Sequence, residues 1–209
     1  MNAEKVESIV NILSGEFSDK PALEFSSPYE LLVAVILSAQ CTDERVNKVT
    51  RELFKKYDTP EKMLSLSESE LEKYIFSCGL YKTKAAHILS ASRDIQEKFG
   101  GEVPSSLNDL RTLAGVGRKT ANVVYSVAFG GNAIAVDTHV FRVTNRIGIV
   151  EAKNVLDTEK GLMKAIPEKD WSRAHHYFIY LGRSYCSARK PDCENCPIRT
   201  LCEKKVVRG

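Results

Sequence analysis

An all-α fold is predicted for this chain by three observations. Apolar residues recur at helical spacing from end to end, no period-two strand pattern persists, and the periodic segments are separated by short polar connectors such as YDTPEK and SLSES. At 209 residues and 43% hydrophobic content the chain can bury a substantial core, as one large domain or two small ones. No internal repeat, low-complexity tract or long linker interrupts it, so any domain boundary must be made by packing.

Taken in order, the first helix is marked by Val6, Ile9, Val10 and Leu13, which share one face. The same segment mixes acids with apolar positions and does not read as a signal peptide. The run LLVAVILSA from Leu31 is nine residues long and lies between Glu30 and Gln40, an apolar helix too short to span a bilayer. A soluble, cytoplasmic protein is expected. A later helix carries Ala85, Ile88, Leu89 and Ile95 and is closed by Gly100 and Gly101.

The stretch PSSLNDLRTLAGVG follows. Ser106 is placed to cap a short helix, with Asp109 three residues on and Leu107, Leu110 and Leu113 as its apolar edge. Ala114 to Gly117 is a tight connector whose glycines can take conformations closed to other residues. Ala121, Val124, Val127 and Ala128 give the next helix its buried side, so the unit reads as a helix-hairpin-helix. Amides near Gly115 and Gly117 would face one way at the helix start, a phosphate site backed by roughly half a unit of positive charge. Such a site holds a nucleic-acid backbone without reading sequence. Arg118 and Lys119 stand at this positive end, where carboxylates are the usual choice. The helix end, the neighbouring Arg118 and partial burial are expected to disfavour the ammonium form of Lys119 and leave it nucleophilic.

Asp137 precedes Thr138 and the periodic positions Val140, Val143 and Ile147, and is predicted to cap that helix. A carboxylate held there can also stabilise a neighbouring cation. Arg142 and Arg146, one turn apart, are predicted to form a solvated or phosphate-facing edge. His139, His175 and His176 are predicted to serve packing or hydrogen bonding, because no ligand spacing joins them.

The formal charge is +3, yet residues 183–209 alone hold seven basic against three acidic residues, a net of +4. The positive excess therefore sits in the tail, a pointer to a polyanionic partner. The tail also contains Cys186, Cys193, Cys196 and Cys202, spaced C-x6-C-x2-C-x5-C. Four thiols so close together demand a common partner. Disulfides are disfavoured in a cytosolic chain. Zinc is competent with four thiolates, although the paired knuckles of zinc ribbons are missing, and the spacing differs from that of common ferredoxins. Spacing alone leaves the metal open. Cys41 and Cys78 fall outside this set and are predicted to be small buried apolar side chains.

LAGVGRKTANVV followed by AVDTHVFRVTNRIG closely resembles the endonuclease III family of DNA base-excision glycosylases. LLVAVILSAQCTD, CGLYKTKA and the cysteine cluster extend the resemblance over nearly the whole chain. One departure is Ala114, where the family commonly has proline, a loss of about 0.4–1 kcal/mol of preorganisation.

The resemblance implies a two-lobed helical fold. Residues 21–131 would form a helical barrel with the helix-hairpin-helix, residues 1–20 plus 132–209 a second lobe carrying a 4Fe-4S cluster loop, and a DNA cleft would lie between them. It implies that Lys119 and Asp137 are catalytic and that Cys186, Cys193, Cys196 and Cys202 hold the 4Fe-4S cluster. Gln40, at the end of the apolar helix, and Leu80 match the family's gap-filling positions, which occupy the duplex when the target base leaves it. Lys82 and Lys84 would add charge for backbone contact beside Gly115, Gly117 and Arg118 of the hairpin. Arg189 and Lys190, between the first two ligands, would place a basic loop against DNA. The implied reaction is excision of oxidised pyrimidines through a Lys119 Schiff base, followed by β-elimination on the 3′ side of the abasic site. The implied partner is double-stranded DNA containing damaged bases or abasic sites, met by a monomer in the nucleoid-associated cytoplasm with no membrane involved. Two other readings stand beside this one: an adenine-mismatch glycosylase of the same superfamily, which works without this lysine, and a non-catalytic DNA-binding protein with structural zinc.

Overall fold

In the computed structural model, which describes residues 1–204, the ordered elements are eleven α-helices and one short 3-10 turn, and no strand occurs among the described residues. Lys205 and Arg208 of the basic tail lie outside the described residues. The helices are α1 (Ala3–Glu16), α2 (Pro28–Ser38), α3 (Asp43–Leu53), α4 (Pro60–Met63), α5 (Glu68–Ile75), α6 (Tyr81–Lys98), α7 (Leu107–Leu110), α8 (Arg118–Phe129), α9 (Thr138–Ile147), α10 (Val155–Ala165) and α11 (Trp171–Ser184). They gather into two compact units, Ala22–Gly130 and Met1–Pro21 joined with the chain from Gly131 onward.

The Ala22–Gly130 unit is built on α2. Every residue from Tyr29 to Leu37 is buried, as a helix apolar on all sides must be, with α3, α6 and α8 around it. Ser27 Oγ accepts from the Glu30 amide at 3.1 Å, and Pro28 occupies a first-turn position that needs no N–H. Each fully enclosed Leu or Ile here contributes roughly 1.5–3 kcal/mol. Among the described residues no helix is long and apolar enough to cross a membrane. α6 turns Ala85, Ile88, Ala91 and Ile95 into the same core, and α7 rests on α8. Side chains of Ser27, Thr42, Thr59, Ser67 and Ser106 cap α2, α3, α4, α5 and α7. The two helices of this unit with no side-chain cap are α6, entered from Leu80, and α8, entered from Gly117.

In the other unit, α1 buries Val6, Ile9, Val10 and Leu13 and packs on α11, the face that the spacing predicts. α9 crosses α11 closely. At the crossing is Gly182, where a Cβ would stand 3.0 Å from Arg142 Nη2, His139 Nδ1 and Val143 Cγ2. His175 and His176 are buried in this unit with ring centroids 4.0 Å apart.

Candidate active site and metal centre

The hairpin forms as its residues dictate. Ser106 Oγ accepts from the Asp109 amide at 3.1 Å and its hydroxyl donates to Asp109 Oδ2 at 2.7 Å, which fixes α7. Leu110 and Leu113 are buried beneath the connector. Gly115 takes φ +74°, and a Cβ there would meet the His87 side chain at 2.9 Å, so both backbone shape and the approach of α6 require glycine. Gly117 differs from the prediction. Its φ of −80° is open to any residue, and a Cβ would meet nothing within 4 Å. What glycine provides at 117 is therefore bare backbone at the start of α8, in front of a positive helix end.

Arg118 and Lys119 occupy the first turn of α8 and are exposed. The partial burial expected for Lys119 is absent, because a first-turn side chain on the open side of the hairpin projects away from the core. Ala121 and Val124 are fully buried, whereas Val127 and Ala128 are half-buried. Asp137, half-buried, belongs to the other unit. Its Oδ1 accepts from the Val140 amide at 2.8 Å and caps α9.

Gln40 and Leu80 are brought together. Both are exposed and take left-handed backbone, φ 53° and φ 58°, which among the described non-glycine residues is shared only by Lys204. A Cβ on Gly79 would lie 3.4 Å from the Gln40 carbonyl oxygen, so the two turns touch. Backbone of this kind costs about 1–2 kcal/mol at a residue with a side chain. Gln40 does not end the helix as predicted: α2 stops at Ser38, and Gln40 sits in the turn beyond it. Lys82 is exposed in the first turn of α6. Lys84 corrects the expectation of a DNA-facing charge. It is buried, and its Nζ donates to the carbonyls of Leu37 at 2.8 Å and Ala39 at 2.7 Å, closing the C-terminal end of α2. Burial pulls its pKa down from the ordinary lysine value.

Arg142 and Arg146 also depart from the predicted solvated edge. Arg142 donates to the carbonyls of Cys186 at 3.1 Å and Gly182 at 3.0 Å. Arg146 donates to Cys186 Sγ at 3.4 Å, to the Ser187 carbonyl at 2.8 Å and to the Ala188 carbonyl at 3.3 Å. The two guanidiniums anchor the loop that begins the cysteine set. Arg189 and Lys190, farther along that loop, are exposed.

Cys186, Cys193, Cys196 and Cys202 are unpaired thiols lining one cavity of about 300 Å³, with Ile147, Leu181 and Ile198 among its apolar walls. Burial pushes the Cys196 and Cys202 thiols up, so thiolates there need cationic metal to hold them. The Lys204 amide donates to Cys202 Sγ at 3.3 Å, a second N–H directed at a ligand sulfur besides that of Arg146. Four sulfurs around a cavity of this size, with N–H donors behind them, fit a multi-iron cluster.

Residues 33–168 match the family described as HhH-GPD superfamily base excision DNA repair protein. Residues 186–202, the span from the first to the last of the four cysteines, match the iron-sulfur binding domain of endonuclease III. Endonuclease III of Bacillus subtilis strain 168 is 49% identical over 210 residues, covering 100% of this chain and 96% of that protein. The chain belongs to the endonuclease III family. Endonuclease III of Escherichia coli K12 is 45% identical over 203 residues, 97% of this chain and 96% of the relative. A solved structure of a trapped endonuclease III–DNA covalent intermediate matches with a TM-score of 0.92 at 46% identity, over 98% of this chain and 97% of that one. Like these endonuclease III relatives, the chain is an all-α base excision DNA repair protein, and its four cysteines hold a 4Fe-4S cluster. The zinc alternative, open on spacing, gives way to the iron-sulfur match.

Proposed function

We propose that this endonuclease III family chain is a DNA glycosylase and AP lyase that removes oxidised pyrimidines from duplex DNA, with Lys119 as nucleophile. The observation that carries this reading is Lys119 itself, exposed in the first turn of α8 behind the bare backbone of Gly117. The amine attacks C1′ of the damaged nucleotide, the C1′–N bond breaks, and the base leaves with a proton. Opening of the sugar gives an iminium between Lys119 and C1′. This acidifies the C2′ proton, whose loss expels the 3′ phosphate, and water then releases the lysine. Since Lys119 is exposed in the protein alone, the positive helix end and Arg118 act on its ammonium at once, and burial follows from DNA covering it.

Asp137 supplies the negative charge opposite the developing sugar cation, or accepts the proton of the attacking amine. Gly115, Gly117 and Arg118 hold one phosphate, and Lys82 with the uncapped start of α6 holds another. Gln40 and Leu80 fill the space left by the extruded nucleotide, which their adjacency and exposed left-handed turns support. Arg189 and Lys190 add phosphate contacts from the cluster loop. The cluster's part here is to hold that loop in shape. The protein acts as a monomer on DNA at the cytoplasmic nucleoid.

Borohydride reduction of the iminium tests the assignment. Lys119→Gln should give no trapped covalent complex with a damaged duplex, while its affinity for an uncleavable abasic analogue stays near wild type. Wild-type trapping in this variant would remove Lys119 from the chemistry.

A further inference from the structure

Cys41 and Cys78 belong to no ligand set, and both are free thiols. Cys78 is fully buried and Cys41 half-buried, both pack in the same core, and the turns that carry them meet where Gly79 approaches the Gln40 carbonyl oxygen. Two pinned turns present them. The Cys41 amide donates to the Ser38 carbonyl at 3.1 Å, and the Cys78 amide donates to the Ile75 carbonyl at 2.8 Å. The residues next to them in the same turns, Gln40 and Gly79, make the contact described above. The Lys84 ammonium and the Arg45 guanidinium bring positive charge to the pair.

We propose that Cys41 and Cys78 form a reversible disulfide that ties the Gln40 turn to the Leu80 turn. The oxidant is a hydroperoxide. The Cys41 sulfur, reachable because it is half-buried, attacks the peroxide oxygen; the O–O bond breaks, an alcohol or water leaves, and Cys41 becomes a sulfenic acid, two electrons more oxidised. The Cys78 sulfur then attacks the Cys41 sulfur. An S–S bond forms, the S–O bond breaks, and the hydroxyl departs as water with the Cys78 proton. Exposure sets the order of the two steps: Cys41 is half-buried and can meet the peroxide, whereas Cys78 is fully buried and can meet only Cys41. A dithiol reductant reverses the bond by exchange.

The consequence for repair rests on the gap-filling reading of Gln40 and Leu80. Each must move into the duplex as the base leaves, and a bond between their turns fixes them to one another. Oxidation is therefore expected to depress excision without removing iron.

The test uses the holoenzyme, reduced and then treated with hydrogen peroxide in the absence of air, with the visible absorbance of the cluster followed throughout. Digestion without reductant should yield a linked peptide pair containing Cys41 and Cys78, lighter by two hydrogens than the separate peptides. The same sample should lose excision of a single-lesion duplex and regain it with dithiothreitol at constant cluster absorbance. Cys41→Ser, at the less buried position, should show neither the linkage nor the reversible loss. Oxidised but unlinked cysteines would overturn the disulfide. A linked pair with unchanged excision would overturn its hold on Gln40 and Leu80. Absence of excision even in the reduced sample would count against the glycosylase reading, while the mass measurement still decides the disulfide.

Discussion

Arg146 Nη1 donates to Cys186 Sγ at 3.4 Å, so the last turn of the helix capped by Asp137 is fastened to the first cluster ligand. An N–H directed at a ligand sulfur stabilises added negative charge on the cluster and holds the loop to α9. Arg146→Met should therefore lower the cluster's reduction potential and speed its bleaching in air, measured by voltammetry on a DNA-coated electrode and by visible absorbance. Values indistinguishable from wild type in both would reduce Arg146 to a contact with the Ser187 and Ala188 carbonyls.

Asp137 joins two roles that one substitution separates. Asn keeps an oxygen for the Val140 amide, so Asp137→Asn should melt within about 0.5 kcal/mol of wild type. Single-turnover excision should fall about a hundredfold, on the order of 3 kcal/mol, because the charge is gone. A rate within a few-fold of wild type would leave Asp137 a helix cap.

The two hairpin glycines should respond in opposite ways. Gly115→Ala meets a positive φ and the His87 side chain, and should cost about 1–2 kcal/mol of stability in urea unfolding. Gly117→Ser adds a favourable N-cap in open space and should keep or slightly raise stability, yet weaken DNA binding by covering the amides. If the serine variant binds DNA as well as wild type does, phosphate docking at α8 is wrong.

Replacing Arg189 and Lys190 together with alanine should weaken damaged and undamaged duplexes alike. The slope of log affinity against log salt should flatten by about 2, one per lost phosphate contact. Titrations at several salt concentrations give this directly, and an unchanged slope means the loop does not touch DNA.

Much of this was legible in the residues because it rests on local rules. The faces of α1 and α6, the Ser106 and Asp137 caps and the hairpin follow from spacing and capping chemistry alone. Long-range partners were not legible. Lys84 shares the buried stripe with Ile88, Ala91 and Ile95, a spacing that could have flagged it, but its carbonyl partners, Leu37 in α2 and Ala39 just past its end, come from 47 and 45 residues away. Arg142 and Arg146 look like any exposed helical pair until the cysteine loop folds over them. Gln40 and Leu80 carry no local sign of left-handed backbone, since neither residue type favours it.

The Met1–Pro21 segment completes its core only with α11, whereas Ala22–Gly130 is one uninterrupted stretch. On the ribosome this imposes an order. Helix α1 is made well before α11 and waits with Val6, Ile9, Val10 and Leu13 short of that cover while roughly 150 further residues are made, on the order of 10 s at common elongation rates. The stretch that carries the hairpin has all its partners in hand well before then. Iron can be delivered only after the fourth cysteine leaves the exit tunnel, so each new molecule passes through a period with its hairpin made and its metal still to come.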